Sequence, residues 1–145
     1  MKSRMKLFYI AGIVCEEDGS GYSVYFPDIP HVAAGGETVP EAVANAADGL
    51  YVALREMAEQ NQEIPSPSSL EEVKAKVRKE RQEDGLPYPE DTLYQYIAAP
   101  DLNMTPVRIN ITVPRGILSE IDGKAKLAGM SRSGYLVAAA QAYAG

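Results

Sequence analysis

The chain of 145 residues contains one cysteine and one histidine, and each scarcity closes off a class of chemistry. Cys15 alone cannot form an internal disulfide or a zinc site built from several cysteines. It lies in an apolar, strand-like run, so its expected role is a small buried hydrophobe in a reducing cytoplasm. His31 alone excludes a histidine acid–base pair, or a metal site with two histidine ligands, within one chain; it reads as a surface or turn residue. No run of about 18 apolar residues is present to span a membrane. The charged start "MKSRMK" is not followed by a signal-peptide core, so a cytoplasmic protein with no membrane partner is expected.

Two further absences concern catalysis. Asp28 follows a strand and is flanked by Pro27 and Pro30, a position at which a nuclease could hold magnesium, but no second acid falls at a comparable strand position. It reads instead as a turn aspartate accepting backbone hydrogen bonds. "AGGET" lacks the lysine of a phosphate loop and is a turn. No catalytic residue, metal site or cofactor is expected.

The charge that is present is unevenly placed. A total of −6 conceals −9 over residues 1–104 and +3 over residues 105–145. An acidic body with a mildly basic tail is a hint of a nucleic-acid-binding appendage, although +3 is weak by itself.

Local patterns divide the chain in the same place. "EEDGSG" separates two aromatic-rich β segments and predicts a hairpin of roughly 6–15 and 22–27, with "HVAAGGE" as a short third strand. Thr38 and Glu41 form the expected capping box of a helix whose apolar stripe is Val43, Ala46, Ala47, Leu50, Leu54 and Met57, fading near Gln60. After the loop "EIPSPSS", residues 70–85 carry charge on nearly every face, with Leu70, Val73 and Val77 as their only stripe; an exposed helix ended by Gly85 is expected. "TLYQYIAA" returns to the sheet as a further strand. The expected organisation is a first domain over residues 1–100, a connector over 101–105 and a second domain over 106–145.

The second domain opens with "PVRINITVP". If it is a strand, Val107, Ile109, Ile111 and Val113 face one side and Arg108, Asn110 and Thr112 the other. Pro114 suits the first turn of a helix with stripe Ile117, Leu118, Ile121, Ala125 and Ala128, stopping at Gly129. Ser131 can cap a second helix with Tyr135, Leu136, Ala139, Ala140 and Tyr143 inside. One strand is not a sheet, and a unit this small rarely buries enough surface to fold alone. A homodimer with the two strand copies paired antiparallel hides the Val/Ile seam and displays the polar face as a ribbon that fits the major groove of DNA.

This strand, helix and "GMSRSGYL" helix start resemble the ribbon-helix-helix family over residues 106–145. The resemblance implies base reading by Arg108, Asn110 and Thr112 and phosphate binding by Ser131, Arg132 and Ser133. The chemistry agrees: Arg and Asn can each make two hydrogen bonds to a base edge, and a helix start offers free N–H groups to an anion. A polar strand face is also what any exposed strand shows, and the helices and charge split favour DNA contact. Capping and phosphate binding use the same N–H groups, so the sequence does not separate them.

"YSVYFPDIPHVAAGGETVPEAVANAADGL", residues 22–50, is similar to the signature of the HicB antitoxin family: a strand ending in Pro-Asp-x-Pro, a short strand, a Gly-acidic-Thr turn and a helix with Glu-Ala, Asn-Ala and Leu. His31 stands where that family usually has glycine, and the charged segment 70–85 is longer than its common form. The resemblance implies an α+β protein with a partial ribonuclease-H-like N-terminal domain, without catalysis, that neutralises a HicA-type mRNA-cleaving toxin. It also implies a C-terminal domain that represses the operon by binding double-stranded operator DNA, as a dimer and in a larger assembly with toxin. Two other readings stand beside it: a stand-alone regulator whose N-terminal domain senses another ligand or protein, and an enzyme with a remnant nuclease site.

Overall fold

The computed structural model describes residues 7–143. It is a mixed α+β protein that divides into two compact units, one ending at Met104 and the other beginning at Thr105.

The first unit is built on a four-stranded antiparallel sheet. Its strands are β1 (Phe8–Cys15), β2 (Tyr22–Tyr25), β3 (Ala33–Gly36) and β4 (Leu93–Ala98), in the spatial order β3-β2-β1-β4. The β1–β2 hairpin pairs Gly12 with Tyr25 and Cys15 with Tyr22, and β4 returns to the far edge of β1 with Tyr9 opposite Ile97. Cys15, expected to be buried, is exposed: it is the last residue of β1, where the hairpin leaves the core.

Helix α1 (Val39–Glu59) packs on β3 and β2. Its buried residues are Ala42, Ala46, Leu50, Ala53 and Leu54, which meet Tyr9, Ala11, Ile13, Val24, Phe26, Ile29 and Ile97 in one core. Burying a Leu, Ile or Phe side chain contributes about 1.5–3 kcal/mol each, so this layer is the main source of the unit's stability. The helix start differs in one bond from the expected box. Thr38 accepts from the Glu41 N–H, but the Glu41 carboxylate accepts from the N–H of Glu37, one residue before the cap.

Gly36 lets this helix sit so close to the sheet. A Cβ there would lie 2.6 Å from the Ala42 nitrogen and 3.0 Å from its Cα, both backbone atoms that cannot swing aside. Gly36→Val should therefore push the first turn of α1 off β3 and cost roughly 1–3 kcal/mol. Urea unfolding at neutral pH would show it as a lower midpoint, and an unchanged midpoint would refute the close-approach argument.

Helix α2 (Leu70–Glu83) is exposed over most of its surface, as its charge predicts, with the expected stripe turned inward. Val73 and Val77 are both fully buried, and Val77 borders a small cavity with Tyr25. The Lys74 ammonium lies over the Tyr94 ring and the Arg78 guanidinium over the Tyr88 ring, so the charged neighbours of the two valines rest their cationic heads against aromatic faces. Two valines four residues apart, with cations beside them, cover the sheet face that α1 leaves open. A complete capping box starts this helix, Ser69 and Glu72 each satisfying the other's backbone N–H.

The second unit contains α3 (Arg115–Leu127) and α4 (Arg132–Ala142). Pro114 is the residue before the first helical turn of α3 rather than part of it. The expected strand at 106–114 is not formed within the single chain. A strand exists by its ladder of hydrogen bonds, and one chain supplies this segment with no second strand. Gly129, with φ +67°, reverses the chain between the helices in a conformation that a side chain disfavours. Of the inner face expected for α4, Tyr135 and Leu136 are half-buried, whereas Ala139, Ala140 and Tyr143 are exposed.

Candidate functional site

The features that sequence singles out for DNA contact all lie in the second unit, and they fall on two elements. Arg108, Asn110 and Thr112 lie in the segment before α3, which has no regular secondary structure, and all three are exposed. The aliphatic residues between them are exposed as well: Val107 to 81%, Ile109 to 73% and Ile111 to 61%, with Val113 half-buried. Ala125 is the sole fully buried side chain of α3, and α4 has none. Two helices and the segment before them thus present several large aliphatic side chains to solvent and enclose almost nothing of their own.

Ser131, Arg132 and Ser133 begin α4. The Ser131 hydroxyl accepts from the Gly134 N–H at 3.0 Å, and the Ser131 carbonyl accepts from Tyr135 N–H. The first two helical N–H groups, those of Arg132 and Ser133, precede any intrahelical acceptor, as at every helix start. Capping therefore uses one donor and leaves two that can face an anion. Arg132 has a further engagement that sequence reading missed. Its Nε and Nη2 donate to the two carboxylate oxygens of Asp122 at 2.8 and 2.9 Å, a fork-to-fork pair joining α4 to α3. The pair holds the Asp122 carboxyl below the usual carboxylate range and the Arg132 guanidinium above its ordinary value. Opposite charges bracketing the inter-helix turn were the available signal. The pair ties the start of α4 to α3 at the surface, and the Arg132 charge is partly neutralised there.

In the first unit, Asp28 is buried and its carboxylate is fully engaged. It accepts from the Ser68 N–H at 2.8 Å, from the Ser68 hydroxyl at 2.7 Å and from the Lys76 ammonium at 2.5 Å. The backbone bond is thus not local, as a turn aspartate would make, but reaches 40 residues along the chain to the start of α2. Burial pushes the Asp28 carboxyl up, and the bonds from Lys76 and Ser68 outweigh it and hold the group below its ordinary range. Tyr9, whose hydroxyl donates to the Pro65 carbonyl, is pushed upward by burial and then by the nearby Asp28 charge. An ammonium already sits against Asp28, and among the described residues no group of three or more His, Cys, Asp or Glu side chains could hold a metal ion. His31 is exposed on the rim of a shallow groove with Asp48 and Val52. Among the described residues no helix is long and apolar enough to cross a membrane.

Comparison with known proteins bears on both units. A model of the HicB-like antitoxin of bacterial toxin–antitoxin systems matches residues 9–140. The chain is 46% identical over 54 residues to antitoxin HicB 2 of Photorhabdus laumondii, a match covering 37% of this chain and 39% of that protein. It is 48% identical over 50 residues to antitoxin HicB of Escherichia coli, covering 34% of this chain and 36% of that one. The chain thus spans about two fifths of the length of these curated relatives. Among solved structures, antitoxin HicB of Burkholderia pseudomallei is 28% identical with a TM-score of 0.53, covering 93% of this chain and 94% of that one. A chain from a toxin–antitoxin complex of Streptococcus pneumoniae shares the fold at 23% identity and a TM-score of 0.54, with coverage of 94% and 98%.

Proposed function

The chain belongs to the HicB-like antitoxin family of bacterial toxin–antitoxin systems, and from that premise we propose that it neutralises a HicA-type mRNA-cleaving toxin and represses its own operon as a dimer bound to operator DNA. The first unit, read as a partial ribonuclease-H-like domain over residues 1–100, is the toxin-binding part and carries no catalysis of its own. Residues 101–105 connect it to a ribbon-helix-helix domain over 106–145.

The observation that carries the DNA-binding half is the exposed row Val107, Ile109 and Ile111 beside two helices with one buried alanine between them. Leaving three large aliphatic side chains in water forgoes several kcal/mol that a second copy would recover. Antiparallel pairing of the two 107–113 segments covers this row against four helices and supplies the missing ladder partner. The opposite faces then carry Arg108, Asn110 and Thr112 from both chains on a two-stranded ribbon, with the starts of both α4 helices beside it. Arg reads guanine through two bonds, Asn reads adenine likewise, and Thr offers a hydroxyl and a methyl. The helix-start N–H groups of Arg132 and Ser133 and the Ser131 side chain are then the phosphate-facing groups.

Arg108→Ala is expected to weaken specific operator binding by about 1–3 kcal/mol, with the loss confined to the base pair it reads. Footprinting and a titration at fixed salt check this; a mutant with the wild-type footprint and affinity removes Arg108 from the reading face. Co-purification with the product of the adjacent reading frame tests the toxin half, and its failure leaves a stand-alone regulator.

A further inference from the structure

The two helices of the first unit carry charge differently. Over residues 39–59, α1 has four acidic residues, Glu41, Asp48, Glu56 and Glu59, against the single cation Arg55. Over residues 70–83, α2 has four acids and five cations, a nearly balanced surface. Only α1 combines its charge with exposed apolar area. Val52 is 61% exposed, and the Tyr51 ring beside it is 43% exposed. Asp48 and Glu56 lie one helical turn before and after Val52. Arg55 pairs with Glu59 at 3.6 Å and lies over the Tyr51 ring, so these two charges offset each other and Asp48 and Glu56 carry the net charge beside Val52.

The same face is concave. A groove of about 450 Å³ runs between the C-terminal half of α1 and the segment that follows β4, lined by Tyr51, Ala58, Glu59, Leu102 and Met104 among others. A second hollow lies on the other side of Val52, between the helix and the residues around His31.

We propose that this outward face of α1, with Val52 and Tyr51 at its centre and Asp48 and Glu56 flanking them, is the surface on which the toxin docks. The proposal rests on the reading of the first unit as the toxin-binding part. Charge selects the occupant. A second copy would set the same acids against each other, and nucleic acid or an anionic lipid surface would be repelled. A ribonuclease must offer cationic side chains to the RNA backbone, so its substrate-binding face is the complementary shape and sign. An acidic rim around an apolar centre competes for that face, and occupying it excludes RNA.

The test uses the full chain and the purified HicA-type toxin in a binding titration at two salt concentrations. Asp48→Lys with Glu56→Lys is expected to weaken binding roughly 30-fold or more at low salt, and Val52→Ser about tenfold. Glu71→Lys with Glu83→Lys makes the same change in total charge on α2 and is expected to alter binding less than about threefold. Both α1 positions are exposed, and matching thermal unfolding curves confirm that the variants fold. If wild type binds and the Asp48/Glu56 variant binds equally well, the docking surface is wrong while the antitoxin function stands. Equal weakening by the α1 and α2 variants would also overturn it, since total charge alone would then account for the loss. No binding by wild type would instead refute the toxin-binding reading on which the proposal depends.

Discussion

Ile109→Lys is expected to leave the chain monomeric and to abolish operator binding while the first unit remains folded. Ile109 is one of the two inner aliphatic residues of the 107–113 segment and is 73% exposed in the single chain. In the proposed dimer it lies at the seam between the paired strands, so the substitution acts twice. Each copy loses the burial of an isoleucine, worth about 1.5–3 kcal/mol. Each also brings an ammonium into an apolar seam near its symmetry mate, where desolvation and like-charge repulsion add several kcal/mol more. A loss of about 3 kcal/mol already raises a dissociation constant more than a hundredfold. Sedimentation equilibrium would show the change in assembly, and a gel shift at matched concentration the loss of DNA binding. A variant that still dimerises at the wild-type concentration would show that 107–113 is not the seam.

Removing the Asp28 carboxylate should be the most costly single change in the first unit outside its apolar core. Asp28→Ala deletes three hydrogen-bond acceptances at once, two of them from Ser68 and one from the Lys76 ammonium. Bonds involving a charged group contribute about 1.5–3 kcal/mol. Lys76 is 46% exposed on its side chain, so water re-solvates its ammonium and keeps the loss below that of a fully buried pair. A destabilisation of about 2–3 kcal/mol follows. The pH dependence has a definite sign. Because the folded carboxyl is held below its ordinary value of 3.8, the clamp contributes in full above about pH 4 to 5 and is lost as pH falls through the depressed folded value. Urea titrations at pH 7, 4 and 3 should show wild type losing stability on acidification and Asp28→Ala losing less of it. Parallel losses in the two proteins would assign the acid sensitivity elsewhere.

What could be read from the residues follows the range of the interactions involved. The β1–β2 hairpin is legible because "EEDGSG" supplies its turn locally, and α1 because Thr38 and a helical stripe lie within one segment. β1 runs apolar almost without alternation, and the structure buries it on both faces, as two covering helices require. The second cover was hard to see. In α2 two valines carry all the burial and the surrounding charges dominate any average over the segment. The partners of Asp28 stand 40 and 48 residues away, with no local pattern to announce them. In the candidate DNA-contacting unit, the Ser131 cap was legible from its own neighbours, whereas the Asp122–Arg132 pair depends on how two helices meet. The segment 107–113 is a different case: its alternation is plain, but in the proposed dimer its strand partner belongs to a second chain.

In the proposed function the two units therefore differ in molecularity. The first closes its core from one chain, so it is complete as soon as that chain folds, at any concentration. The second, in the proposed function, is finished only by an encounter between two chains, and its folded fraction rises with abundance. A newly made molecule would be able to engage toxin before it could engage DNA. Neutralisation would come first in time, and repression would follow only once the antitoxin had accumulated.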